Sequence, residues 1–266
     1  MSDSGAITQA AMVLRNDSGG IATLTLNRAA QFNPLSEQMM AALQTALEAI
    51  AKDDAVRVVV LAAEGRAFCA GHDLKQMRAT PELDYYQTLF KQCSKLMLTI
   101  QQLPQPVIAR VQGIATAAGC QLVAMCDLAV ASSEARFAVS GINFGLFCAT
   151  PSVALSRNVS RKQTMEMLLT GDFIDAQTAL ARGLINRVAV PEQLDSEVAT
   201  LTASILSKPA VAVALGKQLF YRQLEMGIDA AYQLAGQTMA CNMMDQAALE
   251  GVQAFIDKRA PDWQQQ

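Results

Sequence analysis

Val111-Gln-Gly-Ile-Ala-Thr-Ala-Ala-Gly-Cys-Gln121 decides how this chain is read, because it passes from strand through a small-residue turn into a helix. Pro106 to Val111 is apolar and of strand length, and Cys120 to Cys126 is apolar enough for a fully buried helix. The turn between them leaves the first N–H groups of that helix unsatisfied at the positive end of its dipole. Such termini receive negative oxygen. Tight packing alone also explains a Gly/Ala turn, so the stretch gains meaning only beside a second one. That second one is Arg66-Ala-Phe-Cys-Ala-Gly-His-Asp-Leu-Lys75, where Ala70 and Gly71 let backbone approach a ligand closely before another helix begins.

The flanking sequence supplies an α/β frame. Met12 to Asn16 and Ile21 to Asn27 read as strands around the turn formers Asp17-Ser18-Gly19-Gly20. Ser36 caps a helix whose Met39, Met40, Leu43, Ala46, Leu47 and Ile50 share one face. Val56 to Ala62 is a nearly unbroken apolar run, the mark of a parallel strand buried on both faces. Glu64 to Asp73 reads as a loop, and a helix begins near Thr80-Pro81 with Tyr86, Phe90, Cys93, Met97 and Ile100 in a stripe, ending at Pro104. Leu128 to Ala131 and Arg136 to Val139 return to strand. Asp175 to Arg182 is helical with Gly183 as its stop. From Pro191 onward the pattern is helical, broken at Pro209 and Gly227. We therefore expect an α/β core over 1–195 and a helical region over 196–266.

Composition narrows the function classes. The 266 residues are 52% hydrophobic and 17% charged, too apolar for disorder. A net charge of −3 offers no field for nucleic acid or an anionic membrane. No run of roughly 18 apolar residues is present, and Met1-Ser2-Asp3-Ser4-Gly5 has no secretory pattern, so a cytoplasmic location is expected. Cys69, Cys93, Cys120, Cys126, Cys148 and Cys241 lack C-x-x-C spacing and are expected to be buried thiols. His72 is the only histidine, which excludes multi-His zinc sites, and no G-x-S-x-G elbow accompanies it.

The two stretches, in this order, resemble the two-part signature of the crotonase superfamily of enoyl-CoA hydratases and isomerases. The likeness runs from about Ile21 to Trp263 and includes Asn27-Arg28, Met125-Cys-Asp127, Leu168-Leu-Thr-Gly-Asp172, Ala181-Arg-Gly-Leu-Ile185 and Phe255-Ile-Asp-Lys-Arg-Ala-Pro261. At Gly71-His-Asp-Leu-Lys75 and Gly119-Cys-Gln-Leu122 the chain is similar to the subgroup of enoyl-CoA hydratase domain-containing protein 3. The resemblance implies a ββα spiral core with C-terminal helices that form a homotrimer or a dimer of trimers. It implies an acyl-CoA thioester as substrate, with coenzyme A part of that substrate and no separate cofactor. The N–H groups of His72 and Ala118 would form an oxyanion hole for the thioester enolate. Arg28, Ala70, His72, Asp73, Leu74 and Lys75 would line the acyl-CoA path, with Ala70 near the adenine. Lys258 or Arg259, reaching from a neighbouring subunit, would meet the phosphates.

The chain departs from that family at two decisive positions. Where its hydratases carry two glutamates that handle water and the α-proton, this sequence has Gln121 and Gly141. Gln cannot take up a proton near neutral pH, and Gly has no side chain. His72 as a base competes with a packing role for its ring. Asp127 reads as a turn or cap residue rather than an acid, and Ser140 and Cys148 are pocket residues without an activating partner. Three readings follow: an enolate-stabilising hydratase/isomerase-type enzyme, a decarboxylase of malonyl-type thioesters, which needs no general base, or a non-catalytic acyl-CoA binder.

Overall fold

The chain begins as a hairpin. In the computed structural model, which describes residues 10–263, β1 (Val13–Ser18) and β2 (Ile21–Leu26) pair antiparallel from Val13 opposite Leu26 to Ser18 opposite Ile21. Gly19 and Gly20 make the turn at φ 57° and 81°, a region open to glycine. The helix α1 (Glu37–Ile50) starts where Ser36 accepts a hydrogen bond from the Met39 N–H at 3.1 Å, and it buries Met39, Met40, Leu43, Leu47 and Ile50.

The chain then spirals. β3 (Val58–Ala63) is followed by the short β4 (Ala67–Cys69), the helices α2 (Leu74–Ala79) and α3 (Leu83–Gln102), and then β5 (Val107–Val111) and β6 (Ile114–Thr116). α4 (Ala118–Met125) leads to β7 (Leu128–Ser132) and β8 (Arg136–Ala138). After α5 (Ala149–Leu155) and α6 (Arg161–Thr170) come β9 (Ile174–Asp175), α7 (Ala176–Ala181) and β10 (Arg187–Ala189). α8 (Leu194–Leu206), α9 (Ala210–Gln223), α10 (Ile228–Met243) and α11 (Gln246–Ile256) complete the order.

Among the described residues two sheets result, one of six strands in the order β1-β2-β3-β5-β7-β10 and one of four in the order β4-β6-β8-β9. Each pass from β3 to β4, β5 to β6 and β7 to β8 places one strand in each sheet. Every pairing in the larger sheet beyond the hairpin is parallel, which is why β3 is buried along its whole length. One face of that sheet meets the main core. Against the other, Leu194 and Val198 of α8 pack with Val58, Val60, Ile108 and Val130. The boundary expected after residue 195 falls inside α8.

Several local readings change. The loop expected over Glu64 to Asp73 contains β4, and the helix expected near Thr80 is preceded by α2, whose N-terminus Asp73 caps. The small-residue turn after β5 contains β6, held between β4 and β8. Cys241 is exposed, not buried; the other five cysteines are buried. Asp127 is structural: its carboxylate accepts from the Val107 N–H at 2.6 Å, Lys217 Nζ at 2.7 Å and the Tyr221 hydroxyl at 2.9 Å, tying α9 to the core. Among the described residues no single helix is long and apolar enough to cross a membrane, and no group of three acidic, Cys or His side chains is placed to hold a metal.

Candidate active site

The second sheet ends where the two singled-out stretches meet. Ala117, between β6 and α4, sits at φ 50° and ψ −120°, a conformation L-residues rarely adopt. Its N–H donates to Ala138 O at 3.0 Å and its carbonyl accepts from Gln121 N–H at 3.1 Å. The next amide, Ala118 N–H, opens α4 and has no acceptor among the described residues. Gly119 then lets α4 press onto β4: a Cβ there would lie 2.1 Å from the Cys69 carbonyl oxygen.

The loop after β4 is held just as firmly. Asn33, buried and in the left-handed region at φ 52°, donates through Nδ2 to Glu64 O at 2.8 Å and Ala67 O at 2.9 Å. Ala70 N–H donates to Phe32 O, and Gly71 O accepts from Leu35 N–H at 2.7 Å. Gly71 has φ 92°, and a Cβ on it would lie 3.3 Å from the Ala118 nitrogen and 3.0 Å from the Ala117 Cβ. The residue after it, His72, likewise has an N–H with no acceptor among the described residues. Two unpartnered amides thus come from segments in van der Waals contact.

Both residues line a cavity of about 190 Å³. Its other walls are mainly apolar and include Ala70, Leu74, Met77, Phe90, Gly141 and the segment from Phe144 to Pro151. Among the described residues no Asp, Glu, Lys or Arg lines it; the titratable side chains are His72 and Cys148. Burial pushes the Cys148 thiol up, partly opposed by a hydrogen bond with the Gly141 backbone. Burial also lowers the His72 pKa, partly opposed by its hydrogen bond to Leu35. A more open hollow of about 580 Å³ lies elsewhere, beside α8 and the ion pair of Arg110 with Asp195, and none of the expected site residues line it.

The remaining expected residues are placed as follows. Asp73 turns its carboxylate to the N–H groups of Lys75 (3.0 Å) and Gln76 (3.2 Å), and Lys75 is exposed. Arg28 does not line the cavity and donates to the carbonyls of Ala10, Ala11 and Asn27. Gln121 is buried with no partner for Oε1 among the described residues and does not line the cavity. Gly141 does, but a Cβ there would lie 2.5 Å from the Leu146 carbonyl oxygen and 2.8 Å from Cys148 Sγ. Lys258 is exposed at φ 54°, and Arg259 is engaged by Glu250 at 2.6 Å. Met77, Phe144, Leu146, Phe147, Thr150 and Pro151 escaped the sequence reading, because irregular and short segments carry no periodicity that marks a wall.

Comparison with known proteins agrees with this architecture. The family model for enoyl-CoA hydratase/isomerase matches residues 16–266. The chain is 45% identical over 244 residues to the Rattus norvegicus protein named enoyl-CoA hydratase domain-containing protein 3, mitochondrial, covering 92% of this chain and 81% of that one. A crystal structure of an enoyl-CoA hydratase from Mycobacterium smegmatis superposes with a TM-score of 0.94 at 62% identity, covering 95% of this chain and 98% of that one. The crystal structure of human enoyl-CoA hydratase domain-containing protein 3 gives a TM-score of 0.92 at 42% identity, covering 95% and 100%. The rat protein and its Xenopus laevis and Homo sapiens namesakes are named mitochondrial, which overturns the cytoplasmic location expected from sequence. By the family match along nearly its whole length and by its two-sheet spiral, the chain belongs to the enoyl-CoA hydratase/isomerase (crotonase) family.

Proposed function

We propose that this protein is an acyl-CoA-transforming enzyme that holds a thioester carbonyl oxygen between the N–H of His72 and the N–H of Ala118. The observation that carries the reading is the pair of unpartnered amides at one apolar cavity, one of them opening a helix. Backbone donors fixed by tight packing need little reorganisation as charge develops on the oxygen, and one such donor is worth roughly 10²–10³ in rate. Ala70 and Leu74 flank the acyl-CoA path, and Lys258 of a neighbouring subunit meets the coenzyme A phosphates in a homotrimer or dimer of trimers. Coenzyme A belongs to the substrate, and the reaction as proposed requires no other cofactor.

Isotope-edited infrared spectroscopy of a thioester labelled with ¹³C at the carbonyl tests this directly. The carbonyl stretch should move to lower frequency on binding; an unshifted band in the bound complex rejects the oxyanion hole. Decarboxylation of a malonyl-type thioester is the second reading, favoured because no carboxylate of the described residues lines the cavity and loss of CO₂ forms the enolate without a base. Turnover of crotonyl-CoA without turnover of methylmalonyl-CoA rejects it. A carbonyl shift with no turnover across a thioester panel would leave a non-catalytic binder.

A further inference from the structure

We infer that this cavity selects an acyl group ending in one aromatic ring a carbon or two from the thioester, an arylacyl-CoA in preference to an aliphatic one. The inference deepens the reading of the His72 and Ala118 amides as the carbonyl-binding pair and rests on it. Three phenylalanines line the space that those two residues also line: Phe90 of α3, and Phe144 and Phe147 of the segment between β8 and α5. Phe, Trp and Tyr make up only 5% of the chain, so three rings on one small cavity are a concentration that composition does not explain.

The rings divide into a fixed wall and an uncovered mouth. Phe90 is half-buried and held: it meets the His72 ring edge-on with centroids 5.6 Å apart and stacks on Tyr86 at 6.5 Å. The Tyr86 hydroxyl in turn donates to the Met77 carbonyl at 3.1 Å, which fixes the backbone of another wall residue whose thioether adapts to a ring edge. Phe144 and Phe147, by contrast, are 74% and 42% exposed. Leaving two such rings in water costs free energy that an apolar ligand lying against them recovers.

Volume and polarity narrow the ligand further. An apolar cavity of about 150 Å³ is enough for benzene. This one, of about 190 Å³, admits one six-membered ring and the carbons that join it to the thioester. Two of its polar side chains are already engaged, Ser140 with the Thr116 hydroxyl at 2.8 Å and His72 Nδ1 with the Leu35 carbonyl at 3.2 Å. No cation among the described residues lines the walls, so an acyl chain ending in a carboxylate would bury that charge unpaired. Contact between rings adds a preference set by geometry, which separates an aryl group from an aliphatic one of the same bulk.

The test uses the full-length protein and calorimetry with 3-phenylpropionyl-CoA and 3-cyclohexylpropionyl-CoA. The cyclohexyl group carries at least as much apolar surface, so burial alone gives it no disadvantage. The phenyl ligand should bind about two- to tenfold more tightly. The double variant Phe144→Leu with Phe147→Leu keeps apolar side chains at two exposed positions and should bring that ratio close to one. Equal affinities in the wild type, or a preference that survives the double variant, overturn the inference. If the double variant does not fold, proton NMR of the wild-type complex decides: ring currents should move the bound phenyl protons upfield, and unmoved resonances overturn the aromatic slot. Binding without a preference leaves the amide pair standing, whereas an unshifted ¹³C carbonyl band in the bound thioester rejects the pair and this inference with it.

Discussion

Gly141 and Leu146 close one turn at the cavity wall: the Leu146 N–H donates to the Gly141 carbonyl at 3.0 Å, while a Cβ on Gly141 would come within 2.5 Å of the Leu146 carbonyl oxygen. Gly141, the position that the family resemblance assigns to a second glutamate, therefore has no room for a side chain unless its neighbours shift. Gly141→Ala should destabilise the protein by about 1–3 kcal/mol through overpacking against backbone, read by chemical denaturation. The double variant Gln121→Glu with Gly141→Glu should not gain hydratase activity, and a full gain would show that the 145–148 segment yields easily.

Gly119 is the most constrained glycine beside the proposed amides. Its Cβ would meet the Cys69 carbonyl carbon at 2.8 Å as well as its oxygen at 2.1 Å. Gly119→Ala must push α4 off β4, moving the Ala118 N–H relative to His72. We expect thioester binding to weaken at least tenfold in calorimetry, together with a loss of about 1–3 kcal/mol of stability.

Lys217 is buried with three acceptors for its three protons: Ile100 O and Gln105 O at 3.0 Å and Asp127 Oδ2 at 2.7 Å. Burial lowers its pKa and Asp127 opposes that. Lys217→Met leaves the Asp127 carboxylate short of its main counter-charge and should cost about 3–5 kcal/mol. Tyr221→Phe, which removes one hydrogen bond to the same carboxylate, should cost about 1.5–3 kcal/mol. Denaturation midpoints of the two variants should rank in that order.

His72 makes stability depend on pH in a known direction. Burial depresses its folded pKa below the unfolded value, so the unfolded chain binds the proton more readily. Its contribution is fully present above about pH 6.5 and is lost as pH falls through that value toward the folded pKa. With one histidine in the chain, His72→Gln should remove the component that appears as pH falls below about 6.5. An unchanged stability profile in that window would contradict the burial of the ring.

Phe220, Ile228, Tyr232, Met239 and Phe255 are exposed apolar side chains on α9 to α11. Covered by equivalent helices of other copies, they would account for the proposed trimer. Sedimentation should give three or six times the chain mass, and Phe255→Glu should shift the protein toward monomer; a monomeric wild type would reject the assembly.

Sequence alone determined what local periodicity and chemistry encode. Ser36 before an amphipathic run specifies α1, the apolar run Val56 to Ala62 specifies a strand covered on both faces, formed over Val58–Ala63, and the two small-residue stretches around Gly71 and Ala118 mark where backbone must come close. The family likeness followed from those stretches together with the shorter motifs spread between Asn27 and Pro261. Strands of three residues such as β4 and β6 were illegible because partners distant in sequence hold them, and α2 because it is a single capped turn and a half. Tertiary structure decided the rest. It paired Leu35 with His72, gave Asp127 to Lys217 and Tyr221, set Arg28 on the carbonyls of Ala10, Ala11 and Asn27, and brought the Leu146 carbonyl against Gly141. Such relationships depend on which surfaces meet when helices and sheets pack, and no residue's immediate neighbours in the chain carry that information.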